Sequence, residues 1–410
     1  MQEEIPVGMI RHHITRNSIQ NFAGILIAAA PILSPYTFYG INLTWILGAV
    51  FMIFCLFHNK KNVFIVEPEF FALYGYVLAA FILSFNTLFI IEGNNQINAM
   101  VGLLLSLFIY TLLWKESDFA ITEKWLNIFG FICCAFMLYQ IFMQISTGTA
   151  PLGRISFGGL GTSTGWVDST WGFRFNSLFS EPSYLAIYLL PIFALNMMRN
   201  NYINSIVFGL GILLSSSTMG IIVVIMIIAF ILIGREKSTR HKILYIGLGI
   251  LGIAFVFYLY LSVPSMTSMI GRTFLKLTEA GSSNNNLRIT GYITYFDKLP
   301  LKEQIFGVGI FQLQNYFAQE GIQLANYSNS IVLTLLDLGV IGTIISTIYF
   351  VHLYFVSKKN RSLLFFCILF LIFCTDAILL SYRFFYLCYF VMFYRKIFSD
   401  EHKKELRKNE

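Results

Sequence analysis

The chain has 410 residues, of which 57% are hydrophobic and only 12% charged, with a mean hydropathy of +0.70. Soluble domains carry about 25% charged residues, so this balance excludes an ordinary soluble enzyme. The net charge of +7 is explained below by where the cations sit, and it gives no reason to invoke nucleic acid.

A membrane helix needs about 20 mainly apolar residues to cross roughly 30 Å of hydrocarbon. Twelve runs fit, near 18–35, 41–57, 70–91, 97–114, 124–145, 183–199, 202–217, 218–234, 242–262, 329–356, 362–378 and 382–397. The expected fold is all-α, a polytopic integral membrane bundle of about 12 transmembrane helices, with a large, partly helical outer loop. Arg11-His12-His13-Ile14-Thr15-Arg16 precedes the first run. That segment reads as a cytoplasmic anchor rather than a cleavable signal. All six cysteines (Cys55, Cys133, Cys134, Cys367, Cys374, Cys388) fall in predicted spans and read as packing residues, not a disulfide or zinc framework. The chain has no GxxxxGK[ST] phosphate loop, so it does not read as an ATP-driven pump.

Lys and Arg concentrate in cytoplasmic connections. With the N-terminus inside, 20 of the 28 cations fall on the inner side. The exceptions are Arg154, Arg174, Arg272, Lys276, Arg288, Lys298, Lys302 and Arg383. Both termini are then cytoplasmic, with residues 398–410 as a cytoplasmic tail. Two long outer segments result, 146–181 and 263–327. Segments of that length are functional more often than shorter connections. The first is rich in Gly, Ser and Thr and ends in Ser180-Glu181-Pro182-Ser183; the second holds Asn284-Asn285-Asn286-Leu287-Arg288 and Gly307-Val308-Gly309.

Pro182 suits the first turn of a helix, and a carboxylate just before it is favoured by the helix dipole. A helix start therefore explains the segment in structural terms. The functional alternative is that Glu181 stands where a span enters the membrane, close in sequence to Arg174. An ionisable group there is costly unless paired or wet. It can orient an arginine or accept a proton from a hydroxyl. Arg154, Arg174, Arg272 and Arg288 stand on the side that should be poor in cations. Headgroup contact or a loop salt bridge explains any one of them. Arg174 and Arg288, each beside a helix start, also suit phosphate, which guanidinium forks match bidentately.

The stretch from Arg174 to Ala186 resembles the Arg…Ser-Glu-Pro-Ser segment of bacterial O-antigen and capsule polymerases of the Wzy type, within the O-antigen ligase–polymerase family. Similar features follow in order: Ser215-Ser216-Ser217 between two close spans, Asn286-Leu287-Arg288 with Tyr292, Gly307-Val308-Gly309, and Ser328-Asn329-Ser330 with Asp337-Leu338-Gly339-Val340-Ile341-Gly342. The resemblance implies a metal-independent, cofactor-free glycosyltransferase at the outer face of the bacterial cytoplasmic (inner) membrane. Its partners would be undecaprenyl-diphosphate-linked oligosaccharides as donor and acceptor, with membrane lipid around it and room for a protein that sets chain length. Glu181, Arg174 and Arg288 are the implied catalytic residues. Arg154, Arg272, Tyr292, Asn329 and Ser183 are the implied substrate-binding residues. Asp297 and Glu320 stand behind Glu181 as bases.

O-antigen ligases share the pattern but carry a histidine where Ser328 stands here. All six histidines (His12, His13, His58, His241, His352, His402) fall at or near the cytoplasmic side of the predicted topology, which favours polymerase over ligase. A transporter or flippase is the alternative of another class. Such proteins usually show two similar halves and sites near the midplane, whereas here the hydrophilic mass lies on one face.

Overall fold

The computed structural model describes residues 7–58, 66–85, 95–156, 158–167, 174–235, 291–322, 324 and 329–393, with side chains described throughout except at 7–16, 95, 96, 235, 291 and 292. Its helices in chain order are α1 (Val7–Leu33), α2 (Leu43–His58), α3 (Phe71–Ser84), α4 (Asn95–Glu116), α5 (Phe119–Thr147), α6 (Pro182–Met198), α7 (Tyr202–Leu214), α8 (Thr218–Arg235), the short α9 (Leu301–Phe306) and α10 (Leu313–Gln319), α11 (Ser330–Lys359) and α12 (Leu363–Thr375). A last apolar helix, α13, covers Tyr382–Phe393. Three helices are long and apolar enough to cross a membrane, Ile97–Glu116, Phe119–Thr147 and Ser330–Lys359, and eight shorter apolar helices accompany them. Each of the predicted spans has such a helix except 242–262, which lies outside the described residues.

The helices form when apolar runs meet capping signals. Asp118 caps α5 by accepting the Ile121 amide at 3.0 Å, and Gly148 ends it at φ 75°, a left-handed conformation suited to glycine. Helix α6 is buried along nearly its whole length, as expected for a helix apolar on all faces. It packs on α5, α7, α8 and α12. Tyr188 ties it into the core, donating to the Ala28 carbonyl at 3.0 Å while its own carbonyl accepts from the Tyr386 hydroxyl at 2.9 Å. Helix α1 packs on α2, α4 and α5, and α11 on α3, α9 and α12.

Alternating helices give the bundle two ends. Short turns such as 117–118, 199–201 and 360–362 gather at one end, where Arg199 pairs with Glu123 at 2.9 Å. Long connections gather at the other, the loop end. There a three-stranded sheet, in the order β2-β1-β3, joins β1 (Tyr36–Phe38) and β2 (Ile41–Asn42) of the first connection to β3 (Leu160–Thr162) of the long segment before α6.

Both long segments dip into the bundle. In the first, Ser177 (φ 52°) donates from Oγ to the Cys133 carbonyl at 2.6 Å and from its amide to Gln140 Oε1 at 2.8 Å. Cys133 lies roughly 20 Å below the tip of α5 at 1.5 Å per residue. The approach is so close that a Cβ on Gly153 would sit 1.7 Å from the Ser177 carbonyl oxygen. In the second, Gly307-Val308-Gly309 reaches α11, which is broken at Gly339 (φ 67°, ψ −169°). The Val308 and Gly309 amides donate to the Leu336 and Asp337 carbonyls at 3.0 and 2.8 Å. Irregular backbone at membrane depth persists where protein satisfies its polar groups, and the two amides do so here.

Candidate functional site

The site forms where the starts of α6, α11 and α13 meet at the loop end. Helix α6 has 17 residues against 29 for α5. With Arg199 level with Glu123, helical rise puts the start of α6 about 10 Å below the tip of α5. Glu181 therefore lies in a recess. It occupies the N-cap position with extended backbone and makes no side-chain capping bond. Its carbonyl accepts the Tyr184 amide at 3.1 Å, while its carboxylate accepts from Ser183 Oγ at 3.2 Å. Ser183 is buried and Glu181 partly exposed.

Asn329 caps α11 by accepting the Val332 amide at 2.9 Å. The neighbouring Ser330 is bound to the turn before α13: its Oγ donates to the Asp376 carbonyl at 2.7 Å and accepts the Ile378 amide at 2.8 Å. Asp376 and Glu181 both lie within electrostatic range of the Tyr184 hydroxyl, and so does Arg383. Arg383 places its Cζ 3.6 Å from the centre of the Tyr184 ring. Thus the structure brings Glu181, Ser183 and Asn329 into one neighbourhood, with Asp376 and Arg383, which sequence reasoning missed as site residues. The available signal for Arg383 was an arginine interrupting an apolar run on the side poor in cations.

Other predicted residues fall elsewhere or beyond view. Arg174 is partly buried on the chain that leads through Asn176 and Ser177 into α6. Among the described residues, the carboxylate of Glu181 is bonded to Ser183 and not to Arg174. Arg154 is exposed at the loop end, between Gly153, whose carbonyl accepts from the Tyr36 hydroxyl at 3.4 Å, and Ile155, whose amide donates to it at 3.1 Å. Burial pushes the Tyr36 phenol above its usual range, against the opposing effects of the Ile155 amide and Arg154. Arg272 and Arg288 lie outside the described residues. Tyr292 belongs to a 3-10 helix, Gly291–Lys298, and its side chain lies outside the described residues as well. Asp297 and Glu320 are exposed. Asp337 is buried beside the helix break.

Two further features bear on chemistry. A groove of about 450 Å³ runs between α11 and α12 from Ile331 to Phe355, lined by Phe350, Phe366, Phe370 and Phe373 with hydroxyls of Thr334 and Thr343. Among the described residues no cluster of His, Cys, Asp or Glu is arranged to hold a metal ion.

These apolar helices and this recess describe a membrane-embedded helical protein with a charged, polar site at one end of its bundle. Residues 203–347 match the family model described as O-Antigen ligase, Wzy_C. That match supports the O-antigen ligase–polymerase family and a membrane glycan-processing role, without separating ligase from polymerase. It spans α7 through the break in α11, and so covers Asn329, Asp337 and the Gly307-Val308-Gly309 strap but neither Glu181 nor Arg383. No curated protein matches the chain.

Proposed function

We propose that the chain is a polysaccharide polymerase. It transfers a growing glycan from undecaprenyl diphosphate onto a lipid-linked repeat unit at the outer face of the inner membrane. The observation that carries this reading is the recessed carboxylate of Glu181, hydrogen-bonded to Ser183, together with the match of residues 203–347, which include Asn329, to the O-antigen ligase family model. Breaking the sugar–phosphate bond gathers negative charge on the departing diphosphate. Preorganised cations in a water-poor recess stabilise such charge; Arg174 and Arg288 are assigned this role. The acceptor hydroxyl must lose a proton as it attacks the anomeric carbon, and Glu181 is assigned as the base. The polyprenyl tail would lie in the apolar groove beside α11, which begins at Ile331, two residues beyond Asn329.

The family description itself favours a second reading, glycan transfer to a lipid A core, as ligases do. Against it, the described histidines lie at the turn end: His58 closes α2, and His352 is near the close of α11. A reconstitution assay with lipid-linked repeat units decides between them. A polymerase yields a ladder of lengthening lipid-linked chains with no lipid A core present. Product formed only when lipid A core is added would establish the ligase and overturn the polymerase.

A further inference from the structure

Arg383 lies within the first turn of an otherwise apolar helix and beyond the segment matched by the family model. Its guanidinium is 3.6 Å from the Tyr184 ring centre and 5.3 Å from that of Tyr382. Contact with a ring face engages the flat of a guanidinium and leaves its in-plane N–H groups to find acceptors. Here Nε and Nη1 are covered from solvent and have no hydrogen-bond partner. Tyr382, Tyr184 and Asp376 all act on Arg383 electrostatically, and among the described residues no ion pair joins it to Asp376. One oxygen of Asp376, Oδ1, accepts the Ala377 amide at 2.8 Å, and the other, Oδ2, is covered and has no partner.

Two donors on Arg383, and one acceptor on an Asp376 that lies within electrostatic range of it, are thus without partners. Covered polar atoms in folded proteins are almost always satisfied by protein, water or ligand, and these belong to two charged residues that are themselves only partly buried. The matching ligand accepts hydrogen bonds through negative oxygens and donates one through a hydroxyl. A glycosyl diphosphate has both: phosphate oxygens suit the guanidinium edge, and a sugar hydroxyl suits a carboxylate. Tyr184, Tyr382 and Arg383 are each partly exposed.

We propose that Arg383 is a phosphate-binding residue of this site, holding the diphosphate of a lipid-linked glycan. The proposal rests on the glycan-transfer reading above and adds to it a binding group from the last helix. The test is a thermal-shift titration of the purified full-length protein in detergent, with farnesyl diphosphate as probe and farnesol as control. Farnesyl diphosphate should protect the wild type and farnesol should not. Arg383→Lys, which keeps the charge and loses the fork, should weaken apparent affinity about 10-fold, and Arg383→Gln about 100-fold. Wild-type affinity in a folded Gln variant would overturn the role of Arg383 and leave the polymerase reading standing. Equal protection by farnesol and farnesyl diphosphate would show tail binding alone and overturn it too. If neither the wild type nor the variants respond to farnesyl diphosphate, the lipid-diphosphate reading itself fails, and this inference with it. If both variants fail to yield folded protein, Arg383 belongs to packing and the inference falls.

Discussion

Glu181 occupies a helix N-cap position without using its side chain as a cap. That separates two roles a carboxylate has there. A capping side chain contributes about 1 kcal/mol; one that only accepts from Ser183 Oγ leaves the helix start to its own backbone. Glu181→Gln should therefore change thermal stability by no more than about 0.5 kcal/mol, while the cells make single repeat units in place of long chains. Glu181→Asp draws the carboxylate back by roughly 1 Å, and such displacement costs up to ~10²-fold in rate. Normal chain length in the Gln variant would remove Glu181 from the chemistry and turn the search for a base toward Asp376 and Asp337. For the cations, Arg174→Ala and Arg288→Ala should each nearly abolish polymer at normal protein level, with Lys a poor substitute because a point charge lacks the fork. Long-chain polysaccharide from both Ala variants would refute the phosphate role. The place of Glu181 at a helix start was legible because a carboxylate, a proline and a serine stand together before an apolar run. Arg383 was not. Its significance depends on Tyr184 and Asp376, which no local pattern ties to it.

At the scale of elements, the joint between the second long segment and α11 is built from backbone. A Cβ on Gly307 would lie 2.2 Å from the Asp337 carbonyl oxygen, and one on Gly339 2.3 Å from that of Ile305. Gly339 also takes backbone angles in a region that is essentially closed to other residues. Gly339→Ala should cost about 3 kcal/mol, seen as a lower melting temperature in detergent and less protein in the membrane. A variant with the wild-type melting temperature would show that the break is not needed. The sequence showed Gly307-Val308-Gly309 and Asp337-Leu338-Gly339 as two separate motifs. The structure makes them one: the strap amides take the carbonyls that the break leaves without helical partners. Amino-acid type announces that a backbone comes close to something at each glycine, but not that the two approach each other.

For the whole molecule, the testable statement is sidedness. Thr164 is exposed near the sheet at the loop end, and Lys359 is exposed at the opposite end of α11. In intact cells stripped of the outer membrane, Thr164→Cys should react with an impermeant maleimide, whereas Lys359→Cys should react only after lysis. The native cysteines are buried or partly buried in apolar helices, which keeps the background low. Labelling at Lys359→Cys alone in intact cells would reverse the topology and remove the site from the outer face.

Hydropathy and the distribution of Lys and Arg are properties of the chain in one dimension. For that reason the sequence by itself determined the helical membrane class and where the apolar helices α1–α8 and α11–α13 fall. The start of α6 at Pro182 and the cap at Asn329 were legible for the same reason, since proline geometry and side-chain capping act over a few residues. Depth and convergence were not. That Ser177 reaches Cys133, that α6 begins below the tip of α5, and that Arg383 stacks on Tyr184 are outcomes of packing between segments far apart in the chain. Only the tertiary structure decided these, because burial and orphaned polar groups exist only once the helices have closed around them.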